Sequence, residues 1–298
     1  MSILPADLER TCRRQDDVLT VPQLRAAGLT SGVVGRRVAN GDWSSPMRGA
    51  YLVPPVRNRF RSVTRAAVLT TGGVVGYETA ARLHGLGGLS EDDEAETPRV
   101  VVGTHRTRAQ RRGVRQHFRR LADDEVTTVA GFRATTPHRT LADLGPRLGV
   151  WPLLALTDSA LHQGLVVRDE LPAQLPDRVL ALADGMAESP AESLARYRCV
   201  DAGVPPEALQ HPVLDGPALV ARLDLAWPSR RVALEVDSRF HDAPRALYRD
   251  RTRQNRLLNL GWSVLHTTWH DLLTAPIPIL VTLFHALGRT GTVKISRL

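Results

Sequence analysis

Three acidic residues in the C-terminal half of the chain could act together: Asp224, Glu235 and Asp237. They lie among apolar residues in two short runs, in the alternating pattern of a strand whose two faces differ. Carboxylates crowded on one face of a sheet repel one another unless positive charge lies among them. The usual sources of that charge are a divalent metal ion or a fan of arginines. The acids therefore predict one of these two kinds of site.

The two runs that carry these acids are predicted to be strands of one hairpin. They are Val220–Trp227 and Arg231–Asp237, and the turn-forming pair Pro228 and Ser229 separates them. We expect a two-residue connection, with the large apolar side chains, among them Leu223 and Leu225, on the face opposite the carboxylates. A further run beginning at the Gly-Trp pair of positions 261 and 262 is expected to add a third strand that ends at position 268.

The segments around these runs resemble the core of the PD-(D/E)XK nucleases, and more narrowly the branch that includes very-short-patch-repair-like endonucleases. The matching residues are Asp224-Leu225-Ala226-Trp227-Pro228, Glu235-Val236-Asp237-Ser238, His241, the basic segment Arg249–Asn255 and Gly261-Trp262-Ser263-Val264, with Glu192 and Gln210 upstream. The resemblance covers about a hundred residues. It implies a restriction-endonuclease-like α/β domain that cleaves DNA with the help of a metal ion.

Roles for individual residues combine the resemblance with the chemistry of phosphodiester cleavage. Asp224 and Glu235 offer the hard oxygen ligands that Mg²⁺ or Mn²⁺ prefers, and the resemblance adds Glu192 from a helix. Asp237 and His241 are the expected catalytic residues, which support the attacking water or contact the phosphate. The cofactor that we expect is therefore Mg²⁺, with Mn²⁺ as its substitute.

Two positions depart from the pattern of these nucleases. Asp237 stands where the archetypal site has lysine, although aspartate does occur there in the very-short-patch-like branch. The single lysine of the chain, Lys294, lies far away in the C-terminal tail. Ser238 stands where the branch usually has glycine, at a tight turn that favours a positive φ. Both departures leave open a nuclease fold that has lost its activity.

The N-terminal residues are expected to form a helix-turn-helix followed by a two-stranded wing. The expected elements are helices Ala6–Arg14, Val21–Ala27 and Gly32–Asn40 and a hairpin within Trp43–Val53. This stretch, LTVPQLRAAGLTSGVVGRRVANGDWSSPMRGAYLV, resembles the winged-helix N-terminal domain of AbiEi-type antitoxins from type IV toxin–antitoxin systems. The resemblance implies binding to DNA, although winged helices also serve as protein-docking modules.

The second helix of a helix-turn-helix enters the major groove, where its first turns meet base edges. We therefore expect Thr30, Ser31 and Arg36 to face DNA, with Arg37 on a phosphate. Arg48 lies in the wing and is expected to reach the neighbouring groove or backbone. The alternative is that these arginines are ordinary solvated charges.

Two other basic segments are candidates for contact with phosphates. Thr104–Arg120 holds seven arginines in seventeen residues, and we expect Arg111 and Arg112 to contact DNA. The alternative is a basic hairpin that only raises solubility. Arg249 and Arg253 follow the acidic strands on a predicted helix and are expected to hold the DNA backbone.

The length of 298 residues suggests two or three domains, and the pattern of helices and strands predicts an α+β multidomain protein. Four segments are expected: a winged helix-turn-helix over 1–55, an α/β middle domain over 56–165, a connecting helical segment over 166–187 and the restriction-endonuclease-like domain over 188–298. In the middle domain, Arg99–Gly103 and Val126–Ala134 are each expected to form one strand.

Composition points to a nucleic-acid partner and a cytoplasmic setting. The formal charge of +8 favours polyanions such as DNA, although arginine-rich composition also follows from a biased genome. Cys12 and Cys199 lie far apart, so neither a disulfide framework nor a paired-cysteine metal motif is expected. The charged N-terminal segment does not resemble a signal peptide, and no apolar run predicts a membrane span.

Two functions from different classes fit these patterns. The first is an endonuclease that needs Mg²⁺ and is brought to DNA by the winged helix. The second is an AbiEi-like antitoxin or transcriptional regulator, in which the C-terminal fold is non-catalytic and contacts a toxin partner. RNA as the substrate ranks last, because the sequence shows no aromatic platform for stacked bases.

Overall fold

The computed structural model describes residues 4–89, 97–104, 111–237, 244–290 and 292–295, and for 244–250 the backbone alone. Across these residues the chain is a mixed α+β protein, which confirms the predicted fold class at this level. It divides into two compact units, Met1–Leu144 and Gly145–Leu298. None of the described helices has the length and apolar character needed to cross a membrane.

The first unit begins with three helices and a small antiparallel sheet. Its elements are α1 (Ala6–Arg14), β1 (Val18–Thr20), α2 (Val21–Ala26), α3 (Ser31–Ala39), β2 (Ser44–Met47) and β3 (Ala50–Leu52). At the start of α2 the Gln23 side-chain oxygen accepts hydrogen bonds from the backbone N–H and the hydroxyl of Thr20, and at the start of α3 the Thr30 side chain accepts one from the backbone N–H of Val33. The three predicted helices and the hairpin are thus confirmed. The sheet order is β1-β3-β2, so β1 is a strand that the sequence did not predict.

The remainder of the first unit surrounds a five-stranded sheet of order β6-β5-β4-β8-β7. Its elements are α4 (Arg59–Thr71), β4 (Val74–Val75), α5 (Tyr77–Leu83), β5 (Arg99–Val102), β6 (Arg115–Phe118), β7 (Val126–Val129), β8 (Phe132–Thr135) and α6 (Pro137–Leu144). The expectation of a single strand over Val126–Ala134 is wrong. The chain reverses at Ala130 and Gly131, which both have positive φ, so the segment forms a hairpin instead.

The two sheets of the first unit share one hydrophobic core. Val18, Met47 and Leu52 of the small sheet pack in the same buried cluster as Val100 of the larger sheet and Val114 before it. This shared core explains why Met1–Leu144 forms one compact unit. The finer division into four segments stays a prediction.

The second unit is built around a four-stranded sheet of order β12-β11-β10-β9, in which only β11 and β12 run parallel. Its elements are α7 (Val150–His162), α8 (Asp177–Leu182), α9 (Pro190–Asp201), β9 (Ala208–Asp215), β10 (Ala218–Trp227), β11 (Val232–Asp237), α10 (Pro244–Asn259), β12 (Ser263–Thr268), α11 (Trp269–Thr274) and α12 (Ile277–Ala286). The two acidic strands and the third strand beside them are confirmed.

Two details of the acidic hairpin differ from expectation. The connection between β10 and β11 is longer than two residues, because a 3-10 turn over Pro228–Arg230 is followed by Arg231 in a left-handed conformation. Leu223 and Leu225 pack in separate clusters, Leu223 with Leu257 of α10 and Leu225 with α9, α11 and α12. Both faces of this sheet are covered, so apolar side chains are not confined to one of them.

Candidate active site

Glu192 lies at the N-terminus of α9, where three donors hold its carboxylate. Ser189 caps the helix and donates from Oγ to Glu192 Oε1 at 2.8 Å. Glu192 Oε2 accepts from the backbone N–H of Glu188 at 2.9 Å and from Nε2 of Gln210 at 2.8 Å. Glu188 precedes the helix rather than lying within it, and its carboxylate pairs with Arg222 at 2.7 Å. These contacts fix the orientation of the Glu192 side chain.

Asp224 and Glu235 lie at the point where the pairing of β10 with β11 ends. The last pair in the described ladder joins Leu225 to Leu234, so the next position along the same register sets Asp224 opposite Glu235. Here the backbone N–H of Val236 donates to Asp224 Oδ2 at 2.9 Å. Because this bond ties the Asp224 side chain to β11, its carboxylate stays beside that of Glu235.

The pKa of Asp224 shows that the three carboxylates lie close enough to interact. This pKa is raised from its ordinary 3.8 to about 6, mainly by burial and in smaller part by the charges of Glu192 and Glu235. Hydrogen bonds from the Val236 backbone and the Gln210 side chain act in the opposite direction. The structure therefore brings together three acids from α9, β10 and β11.

Gln210 joins two of these acids, a role that sequence reasoning did not assign to it. Its side chain is 6% exposed, donates to Glu192 and also hydrogen bonds Asp224. Its φ of 49° within β9 is left-handed, which is unfavourable for a residue with a Cβ. The flanking pairs Leu209–Leu225 and His211–Leu223 place Gln210 opposite Asp224. This strained backbone position aims a neutral amide between two negative charges.

Arg253 from α10 covers Glu235. Its guanidinium donates to both carboxylate oxygens of Glu235, at 2.7 and 2.8 Å, in the two-pronged geometry that favours arginine. Glu235 is 7% exposed, so this pair is largely shielded from water. The sequence predicted Arg253 as a contact of the DNA backbone. In the structure it supplies positive charge to the acidic cluster, and its contact with DNA stays a prediction.

Asp237 lies at the exposed end of β11, where it meets His266 of β12. His266 Nδ1 lies 3.4 Å from the Asp237 carboxylate and 4.0 Å from Glu235. The parallel pairing of β11 with β12 sets His266 directly beside Glu235. No signal in the sequence could have found this pair without the register of the two strands. The other catalytic prediction, His241, lies outside the described residues, as does the side chain of Arg249.

The acids fit Mg²⁺ or Mn²⁺ in the chemistry of their donors, since Glu192, Asp224 and Glu235 offer hard carboxylate oxygens with excess negative charge. In the described residues they do not form a preformed metal-binding site. In the described part of the chain, no three His, Cys, Asp or Glu side chains are grouped as a metal ion would require. Because Arg253 engages both oxygens of Glu235, it would have to share or release that carboxylate for a cation to bind there.

The predicted DNA-contacting residues of α3 lie mostly at the surface. Thr30 caps the helix, Ser31 is its first residue, and both are exposed together with Arg36. Arg37 is partly buried and pairs with Asp42 at 3.5 Å. Three of the four side chains are therefore accessible to a partner, and Arg37 has a contact within the protein.

The other predicted phosphate contacts of the first unit lie in two turns. Arg48 is exposed in the turn that joins β2 to β3. Arg111 and Arg112 are exposed in a tight turn before β6, which a backbone bridge between Arg111 and Val114 closes.

Comparison with known proteins gives partial similarities only. No model of a known protein family matches the chain. Uncharacterized proteins Rv2248 and MT2308, from two strains of Mycobacterium tuberculosis, are each 32% identical over 160 residues, which is 50% of this chain and 59% of theirs. The chain thus spans less than two thirds of these relatives. The crystal structure of the RV2827C protein from Mycobacterium tuberculosis has a TM-score of 0.40 and 15% identity, over 64% of this chain and 80% of that one.

Proposed function

We propose that this protein is a DNA-binding endonuclease that hydrolyses phosphodiesters with Mg²⁺ or Mn²⁺. In this proposal a winged helix-turn-helix near the N-terminus binds DNA, and a restriction-endonuclease-like domain near the C-terminus cuts it. The observation that carries the proposal is the largely buried cluster of Glu192, Asp224 and Glu235, in which the pKa of Asp224 rises to about 6. Shifted pKa values of this kind are concentrated at functional sites.

Each residue of the cluster has a distinct task in this reaction. Glu192, Asp224 and Glu235 would hold the cation, which neutralises phosphate charge and makes water more acidic. Asp237 and His266 form a polar pair at the exposed edge, where they can orient the attacking water. Gln210, which bonds Glu192 and Asp224, keeps these two carboxylates in position.

The decisive test is cleavage of a supercoiled plasmid with Mg²⁺ or Mn²⁺ by wild type and by Glu235→Gln. Loss of a metal ligand is expected to lower the rate by orders of magnitude and to leave DNA binding in EDTA largely intact. The matched control is Asp215→Asn. Asp215 is an exposed acid in the same sheet as Glu235, and it pairs with Arg256 of α10, the helix that also carries Arg253. Cleavage that Glu235→Gln retains, or a wild type that binds DNA without cutting it, would refute the endonuclease.

A second candidate is an AbiEi-like antitoxin or regulator with a non-catalytic C-terminal fold that contacts a toxin partner. The observation in its favour is Arg253, which engages both oxygens of Glu235 as a structural salt bridge would.

Arg253→Gln separates the two candidates when Mn²⁺ binding is followed by electron paramagnetic resonance. For an endonuclease, freeing Glu235 should strengthen Mn²⁺ binding without DNA and weaken binding to DNA. For a non-catalytic scaffold, Arg253→Gln should lower the unfolding temperature. Neither wild type nor the variant should then bind Mn²⁺. Arg256→Gln, one turn along the helix, is the matched control.

A further inference from the structure

Two basic turns of the unit Met1–Leu144 lie close together. One is the turn at Arg48 and Gly49 between β2 and β3, and the other is the turn Arg111–Val114 before β6. The second turn meets the end of β2 at Gly113, where an added Cβ would lie 2.2 Å from the carbonyl oxygen of Pro46. Such a distance excludes every side chain, so the second turn approaches β2 as closely as its backbone allows.

The hydrophobic core holds this contact in place. Val114 follows Gly113 and is buried in the same cluster as Met47, the residue before Arg48. Gly113 also has a φ of +84°, which residues with a Cβ adopt only with strain. The two turns are therefore fixed relative to each other, although they come from distant parts of the unit.

Their charged side chains point to one kind of partner. Arg48, Arg111 and Arg112 are exposed, and each lies no more than two residues from the contact between Pro46 and Gly113. Two residues span at most ~7 Å of backbone, so these guanidinium groups are within reach of neighbouring phosphates on one duplex. Phosphates attract arginine irrespective of base sequence.

We propose that Arg48, Arg111 and Arg112 form one surface, the paired-turn surface, that binds the phosphates of double-stranded DNA. The inference rests on the DNA-binding part of the proposed function and holds whether or not the protein cuts DNA. It extends the DNA interface from the predicted wing to a turn in the middle of the unit. The sequence alone left open whether these two basic regions act together.

The salt dependence of DNA binding tests this surface. A fluorescent duplex of ~20 base pairs, about two helical turns, is titrated with protein in EDTA, so that no cleavage occurs. Each phosphate contact contributes about −0.9 to the slope of log affinity against log salt. Arg48→Gln should therefore reduce the slope by about 0.9, and Arg111→Gln with Arg112→Gln by about 1.8. Arg10→Gln, in the exposed part of α1, should leave it unchanged.

Gly113→Ala tests the geometry without removing any charge. The added methyl group must push the second turn away from Pro46, so this variant should lose the share of the slope that Arg111 and Arg112 contribute. Adding Gly113→Ala to the variant that already carries Arg111→Gln and Arg112→Gln should then cause no additional reduction of the slope. Gly131→Ala is the matched control, because its φ is +80° but the nearest atom would lie at an ordinary 3.7 Å.

The outcomes separate this inference from the proposed function. An unchanged slope after Arg111→Gln with Arg112→Gln would overturn the paired-turn surface, even if Gly113→Ala fails to fold by circular dichroism. A wild type that does not bind the duplex at low salt would overturn DNA binding itself, and the surface with it. Slopes that fall as expected in a protein that never cuts DNA would support the surface and reject only the endonuclease.

Discussion

The two units of this protein place their charges in opposite ways. In Met1–Leu144 the arginines with a predicted DNA contact lie mainly at the surface, as Arg36 and Arg48 do. In Gly145–Leu298 the acids with a predicted metal contact are largely buried, as Glu192 and Glu235 are. Exposed charges are screened by water and salt, whereas buried charges need partners at fixed positions. The comparison teaches that a charged surface can be predicted from the amino-acid composition, whereas a buried cluster of charges forms only where several helices and strands pack together.

The second unit also contains a buried acid of a different kind. Asp158 on α7 bonds Arg196 at 2.5 Å, and Ser193 Oγ and the backbone N–H of Asp184 each donate to it at 2.7 Å. Burial raises its pKa, and the arginine and the hydrogen bonds oppose that rise. Asp224 lies instead between two further acids. We therefore expect Asp158 to stabilise the fold and Asp224 to serve a ligand.

Asp158→Ala is predicted to have the largest effect on stability. Removing one partner of a buried pair leaves Arg196 uncompensated, and such changes typically lower the free energy of unfolding by ~3–5 kcal/mol. Urea denaturation measures the loss. Asp7→Ala, which removes the exposed partner of Arg10 in the first unit, should leave the midpoint within error. Equal effects of the two substitutions would break the distinction between buried and exposed charge.

Asp224→Asn is predicted to stabilise the metal-free protein at neutral pH. The pKa of Asp224 is higher in the folded protein, so its ionisation is harder there, and wild-type stability should fall as pH rises from 3.8 to about 6. The asparagine variant lacks this fall and should be more stable at pH 7, by on the order of 2–3 kcal/mol. Urea midpoints in EDTA across this pH range measure the difference. If the plots of urea midpoint against pH stay parallel for wild type and Asp224→Asn, then Asp224 ionises as freely in the folded protein as in the unfolded chain.

Added Mn²⁺ sharpens the same measurement. It should stabilise wild type at pH 7 and have much less effect on Asp224→Asn, because the variant has lost one carboxylate ligand.

Gln210→Gly is predicted to weaken metal binding while sparing the backbone. Glycine accepts the left-handed φ of this position without strain, so the fold should not suffer from the change in conformation. Loss of the amide that holds Glu192 and Asp224 should weaken Mn²⁺ binding by about 10- to 100-fold, as for other residues that orient metal ligands. Electron paramagnetic resonance measures the binding. A variant that binds Mn²⁺ like wild type would limit Gln210 to a structural role.

Local signals predicted much of the secondary structure in both units. Thr30 marks the start of α3, where its side chain accepts a hydrogen bond from the backbone N–H of Val33. Thr20 marks the start of α2, where its backbone N–H donates to the side chain of Gln23. Alternating apolar residues identified the strands that carry Asp224 and Glu235. The three-residue strand β1 was missed because so short a run has no periodicity to detect.

Contacts between distant residues escaped prediction. Gln210 approaches Glu192 and Asp224 only because β9 pairs with β10 and carries a left-handed residue at that point. The pairing of Arg253 with Glu235 depends on how α10 packs against the sheet, and a basic helix in a sequence equally predicts a contact with phosphate. Neither arrangement has a local signal.

The sequence by itself determined the α+β class, most helix starts, the acidic strands and the excess of positive charge. Those features depend on residue types and on spacings within a few positions, where capping, alternation and composition act. The tertiary structure alone decided that Gln210 joins two of the three acids, that Arg253 covers Glu235 and that the turn at Gly113 lies against β2. Each of these is a contact between residues far apart in the chain, and strand register and core packing set such contacts.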